Sequence, residues 1–274
     1  MPRKRLSRQL GRLADLPLPA AALDRCIGAY RRAYDIDLGD YEQPEGGYPT
    51  FDAFFTRRLL AGKRPLDADV DTLLSPSDGR LEDLGTIERG AKLLVKGKRY
   101  EVGELLGDQY DAARFEGGLF AVVYLSPRDY HRVHAPAAGR VSAARYVAGT
   151  LYPVNSIGIE HVPNLFAVNE RVAVHQQTDR FGEVVSVMVG AIVVGRIGIT
   201  FDSDFVTNVG RPAVARDYGA TGPRLERGEE LGVFHLGSTV VLLTTRGAGL
   251  RFVRGIGEVV RMGEALARRH GGHA

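Results

Sequence analysis

The sequence predicts an α+β chain, with a helical N-terminal segment (residues 1–70) on a largely antiparallel β domain (residues 71–274). Three observations predict it. Apolar residues recur at helical spacing through the first 36 positions. From about residue 72 short valine-rich runs alternate with Gly and Asp turns. "TDRFGE" (Thr178 to Glu183) reads as a hairpin turn, which favours antiparallel neighbours. No repeat of 20 to 50 residues and no low-complexity tract competes with this reading.

Residues 1–36 read as helix, broken at Leu16-Pro17-Leu18-Pro19, because proline disfavours helix both at its own position and at the one before it. Residues 39–49 read as a loop. "TFDAFFTRRLL" is a short helix with Thr50 as N-cap and Gly62 as its stop. The valine-rich runs predict strands over Leu119–Leu125, Arg140–Val147, Leu165–Val174, Glu183–Val189, Ile192–Phe201 and Thr239–Thr244.

Composition narrows the function classes. The chain has 274 residues, 44% hydrophobic and 25% charged, which suits a globular protein with a sizeable core. Its one cysteine, Cys26, allows no intrachain disulfide and reads as a small buried hydrophobe. The longest stretch without Asp, Glu, Lys or Arg is Leu231 to Thr245, 15 residues, too short to span a bilayer, and no secretory signal is visible. The net charge of +3 is unevenly spread: residues 1–34 hold eight bases and two acids. Leu6, Leu10 and Leu13 recur among those bases. This is the pattern of a helix lying on an anionic bilayer, or of a solvated helix docked on its own domain. No aromatic residues interleave the bases from Arg3 to Arg25, so nucleic acid is not the expected partner.

Four polar islands interrupt the strands. "SPSDGR" holds Asp78 in a turn-forming Asp-Gly pair. "SPRDYHRVHAP" places His131 and His134 three apart, as a pair held by hydrogen bonds or as acid and base. A metal is not predicted, since no third ligand has fitting spacing; Glu160, His161 and His175 would have to be brought together by the fold. "VNERV" sets Asn169, Glu170 and Arg171 in an apolar run, as a surface turn or a site. "HLGSTVVLL" sets Gly237-Ser238-Thr239 against buried-strand composition, where glycine weakens a strand and a buried hydroxyl needs a partner. Ser238, a histidine and Asp78 supply the residue types of a nucleophile, a base and an orienting acid. Ser238 does not sit in a Gly-x-Ser-x-Gly elbow.

"SPSDGR", "SPRDYHRVHAP", "HVPNLFAVNERV", "VGAIVVGRI" and "ERGEELGVFHLGSTVVLL" resemble, in order and spacing, the phosphatidylserine decarboxylase family, over about Pro49 to Met262. The resemblance implies a precursor that cuts itself between Gly237 and Ser238. The products would be chains 1–237 and 238–274, with Ser238 converted into a covalent pyruvoyl group. It implies Ser238 as nucleophile, His134 as general base with Asp78 holding its tautomer, and His131 as the acid that protonates the former α-carbon. The division between the two histidines stays open. Turnover would run through a Schiff base on the pyruvoyl group, an electron sink for decarboxylation, giving phosphatidylethanolamine and carbon dioxide. It further implies a homodimer, and a peripheral enzyme on the cytoplasmic side of the cell membrane acting on phosphatidylserine in an anionic bilayer. The basic helices and Phe51, Phe54 and Phe55 would be contacts, although core packing also explains those phenylalanines. Two other readings stand beside it: a pyruvoyl decarboxylase of a soluble amino acid or another aminophospholipid, and an unprocessed non-enzymatic membrane-bound β protein.

Overall fold

The computed structural model describes residues 2–107, 112–192, 196–208, 213–235 and 237–269. It has the expected α+β class. Helix α1 (Pro2–Ala14) and helix α2 (Ala20–Tyr34) are separated at the two prolines, and Pro19 stands at the N-cap position of α2. Helix α2 ends at Asp35, whose left-handed backbone (φ 53°) returns its N–H to the Arg31 carbonyl. Helix α3 (Phe51–Phe55) starts as expected: the Thr50 hydroxyl accepts from the Ala53 N–H at 3.0 Å, satisfying one orphan donor of the first turn. It does not run on to Gly62. The Thr56 hydroxyl donates to the Asp52 carbonyl, and the chain then turns extended: Arg58 and Leu60 exchange main-chain hydrogen bonds with Glu42 and Asp40. Those main-chain bonds replace the helical ones.

The main sheet is antiparallel, in the order Ala215–Asp217, Gly139–Val147, Arg171–Thr178, Gly182–Gly190, Ser238–Thr244, Leu119–Leu125, Gly79–Thr86, Val259–Val260. A smaller sheet runs Asp202–Val206, Arg196–Ile199, Glu230–His235, Arg132–His134. Two strand expectations need correction. Leu165–Val168 is a helical turn, and the strand begins only at Arg171. The run expected over Ile192–Phe201 is a strand at Arg196–Ile199, with residues 193–195 outside the described residues.

The Ser238–Thr244 strand is buried at every position. Val241 and Leu243 pack into one apolar cluster, Val240 and Leu242 into two others on the opposite face. Both faces are covered, so the sequence shows a continuous apolar run instead of an alternation. Each such side chain contributes about 2 kcal/mol of burial. The strand is thus anchored on both faces.

Three chain segments pass from the main sheet to the smaller one at the same edge: Leu125 to Arg132, Gly190 to Arg196, and, in the reverse direction, His235 to Ser238. A strand that changes sheets needs a sharp bend at the corner. In the last crossing Gly237 supplies it with φ 60°, a conformation that costs a residue with a side chain roughly 1–2 kcal/mol. The Gly-Ser pair lies at this corner.

The N-terminal segment packs on the β domain through one buried cluster that joins Leu23, Ile27, Ile36, Leu38, Tyr41 and Phe54 to Tyr130. Phe54 and Phe55 are buried, so two of the three phenylalanines expected at a membrane are core.

Candidate active site

Strand register puts the polar islands in one row. Ser238 pairs with Leu125 on one side and Gly190 on the other, and the Gly190 N–H donates to the Glu170 carbonyl. Arg80 lies opposite Tyr124, which brings the Asp78-Gly79 turn to the same end of the sheet. Gly79 is required there, because a Cβ would stand 2.5 Å from the Tyr124 carbonyl oxygen. The Ser238 Oγ is buried and, among the described residues, has no hydrogen-bond partner. An unmade buried hydrogen bond costs roughly 1–3 kcal/mol, so this hydroxyl adds nothing to the stability of its strand.

An apolar cavity of about 570 Å³ reaches this corner. Leu10 and Leu13 of α1, Tyr30 of α2, and Phe51 and Phe55 of α3 form its walls, and Pro127 and Gly237 also line it. Leu16 and Leu18, on the α1–α2 connection, complete an apolar rim: Leu13, Leu16 and Leu18 are 59%, 48% and 43% exposed. Cys26 also lines this cavity and is exposed, against the expectation of a buried hydrophobe. A charged clasp seats the helices on the strand that leads to Gly237. His235 Nδ1–H donates to Asp52 of α3 at 2.8 Å, and Arg196 binds Asp15, just beyond α1, at 2.6 and 2.8 Å.

His131 is fully enclosed and stacks on Phe55, ring centroids 4.0 Å apart. Among the described residues neither ring nitrogen makes a hydrogen bond; the main chain of Ser126 and Pro127 approaches without reaching that geometry. Burial, and secondarily the Arg57 charge, pull its pKa down to about 3. His134 is held on both nitrogens. Nδ1–H donates to the Gly228 carbonyl at 2.9 Å, which fixes the tautomer, and Nε2 accepts from the Tyr130 hydroxyl at 3.0 Å. Burial keeps it neutral below the ordinary histidine range.

The expected Asp78–His134 contact is not formed. Asp78 accepts two bonds from Arg64, at 3.1 and 2.6 Å, and one from the Met262 N–H at 2.8 Å. A guanidinium fork matches a carboxylate with two parallel charged donors, more strongly than one neutral imidazole N–H can. Gly228 and Tyr130 therefore do the orienting assigned to Asp78. Neither histidine bonds Ser238. His131 receives the Phe234 N–H on its carbonyl, whereas His134 lies opposite Glu230. The register thus brings His131 nearer to Gly237 by three residues, roughly 10 Å along a strand. His134 opens into a separate cavity of about 240 Å³ with Arg58, Arg64 and Glu230.

"NER" is not a surface turn, since all three residues are buried. Asn169 is buried and donates to the Tyr152 and Gly190 carbonyls, both at 2.9 Å; Glu170 accepts from the Tyr146 hydroxyl, and Arg171 binds the Leu105 and Asn169 carbonyls. Together they brace the Gly190 end beside Ser238. His175 is bound to Glu183, which the 171–190 hairpin places away from the corner. Among the described residues no three metal-ligating side chains cluster.

Three buried histidines, His131, His134 and His175, are held neutral below their ordinary range, chiefly by burial. As pH falls below about 6.5 the unfolded chain takes up protons that the folded chain refuses, so stability drops, by about 3 kcal/mol at pH 4 from His131 alone. Urea unfolding between pH 7 and 4.5 should show this slope, shallower in His131→Gln; an unchanged slope contradicts the assignment.

Comparison with known sequences decides the class. The profile of the phosphatidylserine decarboxylase family matches residues 51–268. The phosphatidylserine decarboxylase proenzyme of Brevibacillus brevis is 40% identical over 98% of this chain and 95% of its own. Those of Myxococcus xanthus and Xanthomonas campestris pv. campestris are 41% and 43% identical over 89% of this chain and 86% of theirs. The chain belongs to the phosphatidylserine decarboxylase family. It is a carboxy-lyase of that family, whose match starts at the first residue of α3 and covers all five sequence blocks. Several residues that shape this decarboxylase site were not singled out by sequence. Tyr130, Arg64 and Arg57 stand in basic or mixed stretches that read as solvated surface. Gly228 acts through its carbonyl, which no side-chain pattern reveals.

Proposed function

We propose that the chain is a self-processing precursor that converts phosphatidylserine into phosphatidylethanolamine and carbon dioxide at the surface of an anionic membrane. The observation that supports this best is the apolar cavity. It is walled by amphipathic helices, rimmed by exposed leucines, and lined at one place by Gly237, the residue before the bond to be cut. An acyl chain has the chemistry for such a cavity. A small polar amino acid does not.

The residues fit a pyruvoyl group made from Ser238. Its hydroxyl is buried with no partner among the described residues, and Gly237 adds no side chain at the attacked carbonyl. Ser238 Oγ attacks the Gly237 carbonyl carbon, and the acyl group passes from nitrogen to oxygen. Loss of the Ser238 Cα proton expels the Gly237 carboxylate and leaves dehydroalanine. Water then releases ammonia and leaves the ketone, with chains 1–237 and 238–274 held together by the sheet. The ketone supplies the electron sink for decarboxylation. We assign the base of self-cleavage to His134, which must turn from Tyr130 to reach the serine, with Asp78 and Arg64 fixing the turn behind it. We assign the proton delivered in turnover to His131, beside the cavity floor. The enzyme works as a homodimer, bound peripherally to the cytoplasmic face of the cell membrane.

The test offers the purified protein phosphatidylserine vesicles, free serine or aromatic amino acids, and follows carbon dioxide and the lipid headgroup. The expected result is phosphatidylethanolamine from vesicles and no release from the amino acids. His134→Gln should stay uncut, while His131→Gln should be cut yet decarboxylate poorly. Faster release from a soluble amino acid, or reversed histidine phenotypes, would contradict the reading.

A further inference from the structure

Glycine lets the chain bend at Gly237 and also leaves the bend undetermined. A residue that adopts φ 60° at little cost adopts other angles almost as readily, so Gly237 does not by itself fix where its carbonyl points. Attack by the Ser238 hydroxyl needs the carbonyl carbon held about 3–3.5 Å from Oγ and turned toward it. The corner must therefore be fixed from both sides.

The main sheet fixes the Ser238 side. Ser238 has a ladder partner on each flank, Leu125 and Gly190. The other side is less secure. The Glu230–His235 strand ends at His235, which stands opposite Arg196, itself the first residue of its strand. On the other flank the Arg132–His134 strand is in register only up to Val233, followed by the bond from the Phe234 N–H to the His131 carbonyl. Among the described residues the ladder thus ends two positions before Gly237.

Side chains take over there. His235 Nδ1–H lies between both oxygens of Asp52, at 2.8 and 2.9 Å. The Arg196 guanidinium grips Asp15 with two nitrogens, at 2.6 and 2.8 Å, and reaches Asp52 at 3.6 Å. A forked guanidinium–carboxylate pair fixes orientation as well as distance. The His235 and Asp52 side chains are only 20% and 14% exposed, so solvent ions screen their link incompletely. Both acids come from the N-terminal segment, and both nitrogen groups stand on the facing strand ends at the corner. Seating the segment needs no such network, because the apolar cluster of Leu23, Ile27, Phe54 and Tyr130 already joins it to the β domain.

We propose that Asp52 and Asp15 are positioning residues for self-cleavage: by holding His235 and Arg196 they fix the last ladder step before Gly237 and so aim its carbonyl at Ser238. The proposal rests on the self-processing reading given above. The clasp makes no bond to the reacting atoms and takes no proton. Its work ends with the cut, because Gly237 is then the free end of the larger chain and no longer sets the geometry at residue 238. It therefore governs the rate of maturation and leaves the rate of turnover unchanged.

The test follows the full-length precursor from cell-free synthesis, by the rate at which two chains appear on a denaturing gel. A misplacement of about 1 Å at a reacting pair costs on the order of a hundredfold in rate. Asp52→Ala and His235→Leu should therefore be cut about tenfold to a hundredfold more slowly than the parent. His235→Asn, whose amide offers a donor where Nδ1–H stood, should be cut within about threefold of the parent rate. The chains that do mature in Asp52→Ala should decarboxylate short-chain phosphatidylserine in micelles with the parent kcat. Three results would show that the clasp only seats the helices, and each overturns the proposal: cutting at the parent rate in Asp52→Ala and His235→Leu, no recovery in His235→Asn, or a matching loss of kcat in the matured chains. Asp15→Asn, at the more exposed end of the network, covers the case in which the inner variants do not fold. It should be cut severalfold more slowly, and the parent rate there overturns the proposal too. A parent chain that is never cut would instead sink the self-processing reading.

Discussion

Replacing Ser238 by alanine should leave one uncut chain that releases no carbon dioxide, with its thermal stability unchanged or slightly raised. The stability half of this result separates chemistry from unfolding. The Ser238 Oγ is buried and bonded to nothing among the described residues, so its loss removes an unsatisfied polar atom and leaves every ladder bond of its strand in place. The four apolar side chains that follow stay packed. Activity should disappear because the hydroxyl is both the attacking atom and the precursor of the ketone. A denaturing gel and a melting curve check the two halves. A variant that is still cut, or one that unfolds, would show that the hydroxyl has another role.

The second large effect concerns the cavity rim. Leu13→Glu combined with Leu16→Glu should lower binding to anionic vesicles by about tenfold or more for each leucine, because apolar surface is withdrawn from the lipid and negative charge is added. Both side chains are largely exposed, so the fold should lose no more than about 0.5 kcal/mol. The loss should therefore fall on KM for vesicles, with kcat retained on a short-chain lipid presented in micelles. Co-sedimentation and a two-substrate kinetic comparison check this. Unchanged sedimentation would mean that the rim meets something other than a bilayer.

Much of the fold was legible because local chemistry agreed with it. The prolines at 17 and 19 split the first two helices, Thr50 capped the third, and valine-rich runs marked most of the central strands. The misreadings have one cause: long-range pairing overrode local pattern. Helix α3 stops early because residues 58 and 60 find partners at 40 and 42, and Leu165–Val168 curls into a turn whose last carbonyls are taken up by neighbouring segments. The site was legible as residue types and not as contacts. Strand register brings Ser238 and the Asp78-Gly79 turn to the same end of the sheet, yet Asp78 is taken by Arg64, and His134 by Gly228 and Tyr130. No spacing rule reports which of several donors a carboxylate will choose once the chain has folded. Arg57 was hidden for a related reason, since a base in "FFTRRLL" reads as solvated until its burial is known.

The most direct test of the central claim is the intact mass of the chains in the purified protein. The account predicts two of them, residues 1–237 and residues 238–274, the second lighter by one ammonia than a peptide beginning with serine. A single chain of 274 residues that decarboxylates at full rate would contradict it, as would a C-terminal chain that still begins with serine.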